Sequence, residues 1–425
     1  MTSRLFKQTL QLALDKDLQP YWISRALIAS LFFLFGILLR NIGLVNEKVI
    51  VAWIVVSVAQ AATLLSLDWI ARKYHPRVHW RITQIMALVA LASATIMIFT
   101  GLHLVWFSVA TISMLPLIRE ATHTGMIHIR DRKDWVLGNN VSFLYANEAS
   151  KGLGAVFIVV LGYLSSIGSE TVAAFLSVLL IICIKQSLSK NSGPGRELYD
   201  PSERIGAAGK RYVLISFIHN GAFSGSKYIM SLVLFDLVSK SSGVENVIIV
   251  IAGGLSITMV LGIVIMQALR HRIEALVRTL PRVSLMTLAL AGLTSLVALG
   301  AALTSLSFVP GVEASYLGYG IAFVIAALMA FGGLFSLGTM KFLDRIFAKA
   351  PDLRKSTLHY CWIGSSFSPA IFMGAYLVLE WFLPSLVAGA WILGIILIAE
   401  IFITAFAHDT SKMAPHNDDA TKELP

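Results

Sequence analysis

The sequence predicts an all-α polytopic membrane protein, with twelve transmembrane helices arranged as two six-helix halves. Of the 425 residues, 56% are hydrophobic and only 14% are charged, and the mean hydropathy is +0.76. Soluble domains carry about 25% charged residues, so this chain cannot bury its apolar surface inside a water-soluble core. The apolar residues form long runs, and the longest polar stretch between runs lies near the middle of the chain.

Each transmembrane element is predicted from an apolar run of roughly 18 residues or more, the length that spans ~30 Å of hydrocarbon at ~1.5 Å per residue. In chain order the runs fall near residues 21–40, 49–70, 82–100, 102–118, 135–163, 169–189, 211–236, 244–269, 283–307, 313–340, 357–381 and 385–407. The turns between many of them are short, which leaves no room for soluble domains.

The distribution of basic residues predicts the orientation of these spans. Most of the 34 Lys and Arg fall in the N-terminal segment, in the loops after even-numbered spans, and in the C-terminal tail. By the positive-inside rule both termini and the central loop are cytoplasmic. This topology accounts for the net charge of +10 without nucleic-acid binding. Short outer loops, and a single Asn-x-Ser sequence at Asn140 that would face the cytoplasm, predict a bacterial inner membrane.

The predicted halves are joined by a linker rich in Gly, Pro and charge. The chain then divides into a cytoplasmic amphipathic segment at 1–20, a six-helix half at 21–189, the linker at 190–210, a second six-helix half at 211–407, and a cytoplasmic tail at 408–425. In the first segment Phe6, Leu10, Leu14 and Leu18 recur every fourth residue, which is typical of a helix lying on a membrane surface or capping the loops.

Short matches between the halves support an internal duplication. Pro76-Arg77-Val78 follows span 2, and Pro281-Arg282-Val283 follows span 8, the equivalent span of the second half. Basic pairs also precede spans 5 and 11, at 132–133 and 354–355. Transporter folds are commonly built from such repeats.

With this layout the chain resembles the major facilitator superfamily (MFS), whose members have twelve helices in two halves and a basic signature between helices 2 and 3. Here that loop reads DWIARKYHPR at 68–77, with Asp68, Arg72 and His75 where the signature has Gly, Asp and Gly. The resemblance implies a gating loop that contains Asp68, Arg72, Lys73 and Arg77. Span 5 lacks the Gly-Pro motif of many exporters in the family but keeps three glycines, and export is the preferred direction.

Span 5 also carries two opposite charges one helical turn apart. In the stretch NEASK, Glu148 and Lys151 lie ~20 Å into the predicted core, beside Asn147. A lone charge at that depth costs at least ~2.5 kcal/mol, whereas residues at spacing i, i+3 can neutralise each other. In the functional interpretation, Lys151 recognises an anionic or polar group of the solute and Glu148 carries a proton. In the structural one, the pair is a permanent contact to a neighbouring helix.

Span 7 contains the most polar stretch of any span, FIHNGAFSGSKY at 217–228. The resemblance implies that this helix lines a central cavity, often where the helix is interrupted, so His219, Asn220 and Lys227 are candidate substrate contacts. An interhelical hydrogen bond from His219, and a Lys227 that extends to the membrane surface, are the structural alternatives. Nothing in the sequence supplies partners for a metal at His219.

Nucleotide-binding loops, His-Glu-x-x-His and Cys-x-x-Cys motifs are absent from the sequence, so we expect no enzyme activity and no cofactor or metal. The sequence therefore predicts a monomeric secondary active transporter that moves a small or amphipathic organic solute by alternating access, surrounded by membrane lipids and coupled to protons. A lipid-linked-sugar flippase is the main alternative. A membrane-embedded transferase would need the loop at 122–134, with His123 and His128, as its site. A receptor or scaffold without transport activity is a third possibility.

Overall fold

A computed structural model describes residues 19–41, 43–73, 137–168, 207–240, 247–268 and 351–384, with isolated positions between 7 and 15, between 170 and 178, at 272, and between 387 and 398. In these ranges the long elements are six α-helices. They are α1 (Gln19–Asn41), α2 (Asn46–Lys73), α3 (Leu137–Ile167), α4 (Ala207–Lys240), α5 (Val247–Ala268) and α6 (Pro351–Glu380). They correspond to predicted spans 1, 2, 5, 7, 8 and 11. The other six spans lie wholly or largely outside the described residues.

Helix boundaries extend beyond the predicted apolar runs at several ends. α6 begins at Pro351, several residues before the apolar run at 357, and α4 begins at Ala207, inside the predicted linker. Proline at a first helical position is favourable, since its ring fixes a helical φ and the missing N–H has no helical partner there. Hydropathy detects only the apolar part of a helix, so it does not predict the polar turns at the helix ends.

Two segments of the described helices are long and apolar enough to cross a membrane. They are Asn46–Ser66, with a mean hydropathy of 2.1, and Ile363–Glu380, with 1.2. Their apolar side chains are not all buried in the bundle: Val51, Val55 and Val58 of α2 are 46%, 54% and 43% exposed. Exposed aliphatic surface of this kind marks a membrane or protein contact.

A tight turn joins α1 to α2. Gly43 has φ +91°, its N–H donates to the Arg40 carbonyl at 3.0 Å, and the Leu44 N–H donates to the Leu39 carbonyl at 3.2 Å. These are the two hydrogen bonds of a Schellman motif, which favours glycine because a Cβ disfavours positive φ. The turn sets α2 to run back beside α1, and we call this end of the helix bundle the turn end.

The helices pack mainly in four pairs. α4 lies against α6, α1 against α3, α3 against α5, and α2 against α6, with a smaller contact between α1 and α4. One apolar cluster includes residues from all six helices, among them Phe35, Trp53, Ile158, Leu232, Ile251 and Tyr376. Among the described side chains of the six helices, the members of this cluster fall in the half of each helix that is nearer the turn end.

Candidate functional site

The charged pair of the NEASK stretch lies on α3, a single helix from Leu137 to Ile167. Positions 147, 148 and 151 are near the middle of this helix, and the side chains at these positions lie outside the described residues. The described face that follows is buried at Gly154, Ala155 and Ile158. Position 151 precedes these three by 3, 4 and 7 residues, so helical periodicity puts it on the same face.

That face of α3 packs against α5 at close range. The Ser256 hydroxyl of α5 donates to the Ala155 carbonyl of α3 at 3.1 Å. Further along, a Cβ added to Gly162 would lie 2.5 Å from the Ala252 Cβ, so glycine is needed for this approach. Glycine and other small residues let helix backbones come together in this way. Positions 148 and 151 therefore sit on α3 just before its tight contact with α5.

Of the candidates in span 7, the structure describes the side chain of Asn220. Its amide nitrogen donates to the Ser216 carbonyl at 2.8 Å and to the Ser216 hydroxyl at 2.9 Å, within the same helix. α4 continues without a break through this stretch, which differs from the interrupted helix that the resemblance implies. His219 and Lys227 lie on the same helix, and their side chains fall outside the described residues.

The glycines between these candidates serve packing. A Cβ on Gly221 would lie 2.8 Å from the Ser368 Cβ of α6, and one on Gly225 would lie 2.8 Å from the Phe372 Cβ. Gly221 and Gly225 are four residues apart, the small-xxx-small spacing of membrane helix contacts. The glycine content of this stretch is thus explained by the α4–α6 contact.

The predicted gating loop begins on the last turns of α2. Positions 68, 72 and 73 are helical, whereas Arg77 lies outside the described residues. Lys73 is exposed, and its Nζ lies 4.9 Å from the centre of the Trp69 ring. The side chains of Asp68 and Arg72 are outside the described part. A cation over an exposed indole is a modest interaction of about 0.5–1 kcal/mol.

An ionic cluster at the turn end was missed by sequence reasoning. Arg40 Nη2 donates to Asp236 Oδ1 at 2.5 Å, and Asn46 Nδ2 donates to Asp236 Oδ2, also at 2.5 Å. The side chains of Arg40 and Asp236 are only 21% and 13% exposed. Arg40 also donates through Nη1 to the Leu44 carbonyl at 2.9 Å and lies over the Phe235 ring. We call Arg40, Asn46 and Asp236 the latch.

An aromatic layer lies about two helical turns from the latch along α2 and α4. Trp53 of α2 stacks on Tyr228 of α4 with ring centres 3.9 Å apart, and Phe35 of α1 meets the edge of Trp53 at 4.6 Å. All three side chains are buried. Stacked and edge-to-face pairs contribute about 0.5–1.5 kcal/mol beyond the burial of their area. The layer joins α1 and α2 to α4, as the latch does.

Within the described residues, no three His, Cys, Asp or Glu side chains are grouped so that they could hold a metal ion. The chain matches no protein-family model and no curated protein sequence. Function must therefore be inferred from the residues and contacts of this chain.

Proposed function

We propose that this protein is a secondary active transporter, in which two six-helix halves of MFS-like arrangement rock around a central site. The solute is a small or amphipathic organic molecule with an anionic or polar group. Transport is coupled to protons and runs outward from the cytoplasm. The protein acts as a monomer in a bacterial inner membrane.

The observation that carries the proposal is a reciprocal packing pattern. Three described helices precede the linker (α1, α2, α3) and three follow it (α4, α5, α6). Within each triplet the first helix packs on the third. Between triplets the second helix of each packs on the third of the other, as α2 on α6 and α5 on α3, and the two first helices touch. Two similar units related by a two-fold axis generate such a pattern, because every contact from i to j is matched by one from j to i.

Two repeated halves that meet through matched contacts are a suitable mechanical basis for alternating access. In transporters built from repeats the substrate site lies near the middle of the membrane, at the interface of the halves, and rocking exposes it to each side in turn. Here α3 takes part in the contact between triplets, and it carries Glu148 and Lys151 near its middle. The charged pair is thus on a helix of the proposed moving interface.

We assign roles to the charged pair from its chemistry. Lys151 binds the anionic or polar group of the solute. Glu148 holds Lys151 when no solute is present and takes up a proton when the solute displaces it. Low dielectric disfavours an unpaired carboxylate, so loss of the Lys partner favours protonation. Ionisable groups within membrane spans are commonly functional for this reason.

On α4 we place solute contacts at His219 and Lys227. The donor group of Asn220 is held by Ser216 of its own helix, so Asn220 contributes at most its carbonyl oxygen to a solute. These hydrogen bonds make Asn220 the weakest donor candidate of the three on α4 in this proposal.

The proposal is tested first by thermal unfolding of the detergent-purified protein against pooled sugars, amino acids, organic acids, drugs and lipid-linked sugars. A solute at 100 times its dissociation constant stabilises the folded state by ~2.7 kcal/mol, which is measurable as a rise in Tm. Proteoliposomes containing an internal pH indicator then report whether the stabilising solute moves with protons. We expect Glu148→Gln to abolish proton movement and Lys151→Ala to abolish the Tm shift.

The matched controls are Glu47→Gln and Lys48→Ala, which remove the same charges at adjacent exposed positions of α2. We expect both to transport as the wild type does. Stabilisation by lipid-linked sugars alone, with no proton movement, would replace the proposal with a flippase. A solute response unchanged in Glu148→Gln and Lys151→Ala would make the pair a structural contact.

A further inference from the structure

A single carboxylate at the turn end is held by two helices of the other triplet. Each oxygen of Asp236, on α4, accepts from a different residue, one from Arg40 on α1 and one from Asn46 on α2. Charge-assisted hydrogen bonds are shorter and stronger than neutral ones. The α1–α2 hairpin and α4 are therefore tied together at this end.

The turn between α1 and α2 is braced by its own hydrogen bonds. Arg40 binds the Leu44 carbonyl with one guanidinium nitrogen and Asp236 with another, so it connects the turn to α4 directly. The Schellman bonds around Gly43 fix the same turn. Because Arg40 and Asn46 lie on either side of this turn, a movement of the turn away from α4 separates both of them from Asp236. The latch then breaks as a unit.

The latch is incompletely satisfied in its closed form. Arg40 Nε and Asn46 Oδ1 are buried, and neither makes a hydrogen bond within the described part of the chain. Buried polar groups without partners are costly, and they recover hydrogen bonds when water reaches them. Opening the latch therefore loses two charge-assisted bonds but hydrates two unbonded atoms. This partial compensation lowers the free-energy cost of opening the latch.

We propose that Arg40, Asn46 and Asp236, with the aromatic layer of Trp53 and Tyr228 about two helical turns further along α2 and α4, form the gate of the transport path at the turn end. The gate is closed in this structure, and it opens when the α1–α2 hairpin separates from α4. This inference rests on the proposed transport function. In this role the latch breaks and re-forms during transport, whereas a fixed contact between helices would stay formed.

The first test measures access to the helix interface without requiring transport. Ile37, a fully buried residue of α1 three residues before Arg40, is replaced by cysteine in a protein with Cys183→Ala and Cys361→Ala. Intact cells are treated with a membrane-impermeant thiol reagent. We expect Asp236→Asn to speed labelling of Ile37→Cys by about tenfold or more, because loss of the ionic bond shifts the gate toward its open form.

Two comparisons make this result decisive. Glu47→Gln, which removes an exposed charge at the start of α2 beside Asn46, should leave the labelling rate unchanged. Lys48→Cys, an exposed position next to the latch, should label rapidly in intact cells and so establish that the reagent reaches the turn end. If Asp236→Asn fails to fold, Asn46→Ala is the milder variant. A folded variant of either kind that labels no faster than the wild type overturns the proposal.

The second test locks the gate. Asn46→Cys and Asp236→Cys are introduced together and joined by a short, reducible bifunctional thiol reagent. We expect cross-linking to stop transport and reduction to restore it, while the solute still raises the Tm of the cross-linked protein. Full transport through the cross-linked protein would show that this end never opens and would contradict the gate. If the wild-type protein moves no solute, the proposed transport function is wrong. The labelling result still decides whether the latch opens.

Discussion

Asp236 provides an ionic link between the two triplets of helices. Each of its oxygens has a separate donor, and the side chain is largely buried. Arg40 meets it with a planar guanidinium that simultaneously reaches the Leu44 carbonyl. The geometry of the guanidinium, as well as its charge, is therefore important, because a single ammonium group does not span the same two acceptors.

Substituting Arg40 by lysine isolates this geometric contribution. We expect Arg40→Lys to lower the free energy of unfolding by about 1 kcal/mol, since the charge stays but one of the two hydrogen bonds is lost. The measurement is Tm in detergent. Lys48→Arg is the control, because Lys48 is exposed and close to the latch along α2. Equal Tm values for the wild type and Arg40→Lys would mean that charge alone holds the latch.

At the scale of elements, the contact between α3 and α5 depends on a missing side chain. A Cβ at Gly162 would lie 2.5 Å from the Ala252 Cβ, too close for either helix to tolerate without a shift. We expect Gly162→Ala to destabilise the protein by about 1–3 kcal/mol, the range for overpacking. Thermal or denaturant unfolding measures the effect.

A compensating substitution tests whether a clash at the α3–α5 contact causes the loss of stability. Ala252→Gly removes the methyl group that Gly162→Ala would meet, so the double variant should recover much of the lost stability. Gly253→Ala on α5 is the matched control, because a Cβ there has nothing within 4 Å. Additive losses in the double variant would argue that the clash is not between these two residues.

The contact between α4 and α6 gives a parallel prediction. Gly225→Ala brings a Cβ to 2.8 Å from the Phe372 Cβ, and we expect a loss of about 1–3 kcal/mol. Gly374→Ala on α6 meets nothing within 4 Å and should be neutral or stabilising, because alanine favours a helix by up to ~1 kcal/mol over glycine. The two variants are compared by Tm. A Gly225→Ala protein as stable as Gly374→Ala would refute the packing role.

The sequence predicted the positions of these helices better than it predicted which helices pack against each other. Apolar runs predicted all six described helices to within several residues, because hydropathy and length together reflect burial in an apolar medium. The glycines at 221 and 225 lie in the stretch interpreted as a cavity lining, and the sequence did not reveal their packing role because the residues that face them lie on α6, far away in sequence. Periodicity identifies a face of a helix, but it does not identify the helix that covers that face.

On the scale of the whole molecule, the interfaces between the triplets should hold them together after the linker that connects them is cut. A protease site inserted between residues 190 and 206 would cut the proposed linker. We expect the two fragments to stay together through the α2–α6 and α3–α5 contacts, since both interfaces are extensive. Co-elution in size-exclusion chromatography measures this. Separate elution of the fragments after cleavage would contradict the proposed assembly of the halves.

The arrangement of the whole molecule was only partly predictable. Charge asymmetry and short repeats predicted two halves, whereas the latch needed knowledge of which span ends meet. Arg40 is the last residue of predicted span 1 and Asp236 the last of predicted span 7, with no sequence signal to pair them. Charged residues near span ends are commonly interfacial, so neither residue was singled out by its chemistry alone.

The separation of the latch residues along the chain also bears on how the protein is made. Arg40 and Asp236 are 196 residues apart. At a synthesis rate of about 5–20 residues per second, Arg40 waits roughly 10–40 s after its own synthesis before Asp236 exists. Its place at the end of α1 lets the guanidinium remain hydrated during this interval. The α1–α2 hairpin is therefore made before its partner on α4, and the latch can form before α5 and α6, which follow Asp236 in the chain, have been synthesised.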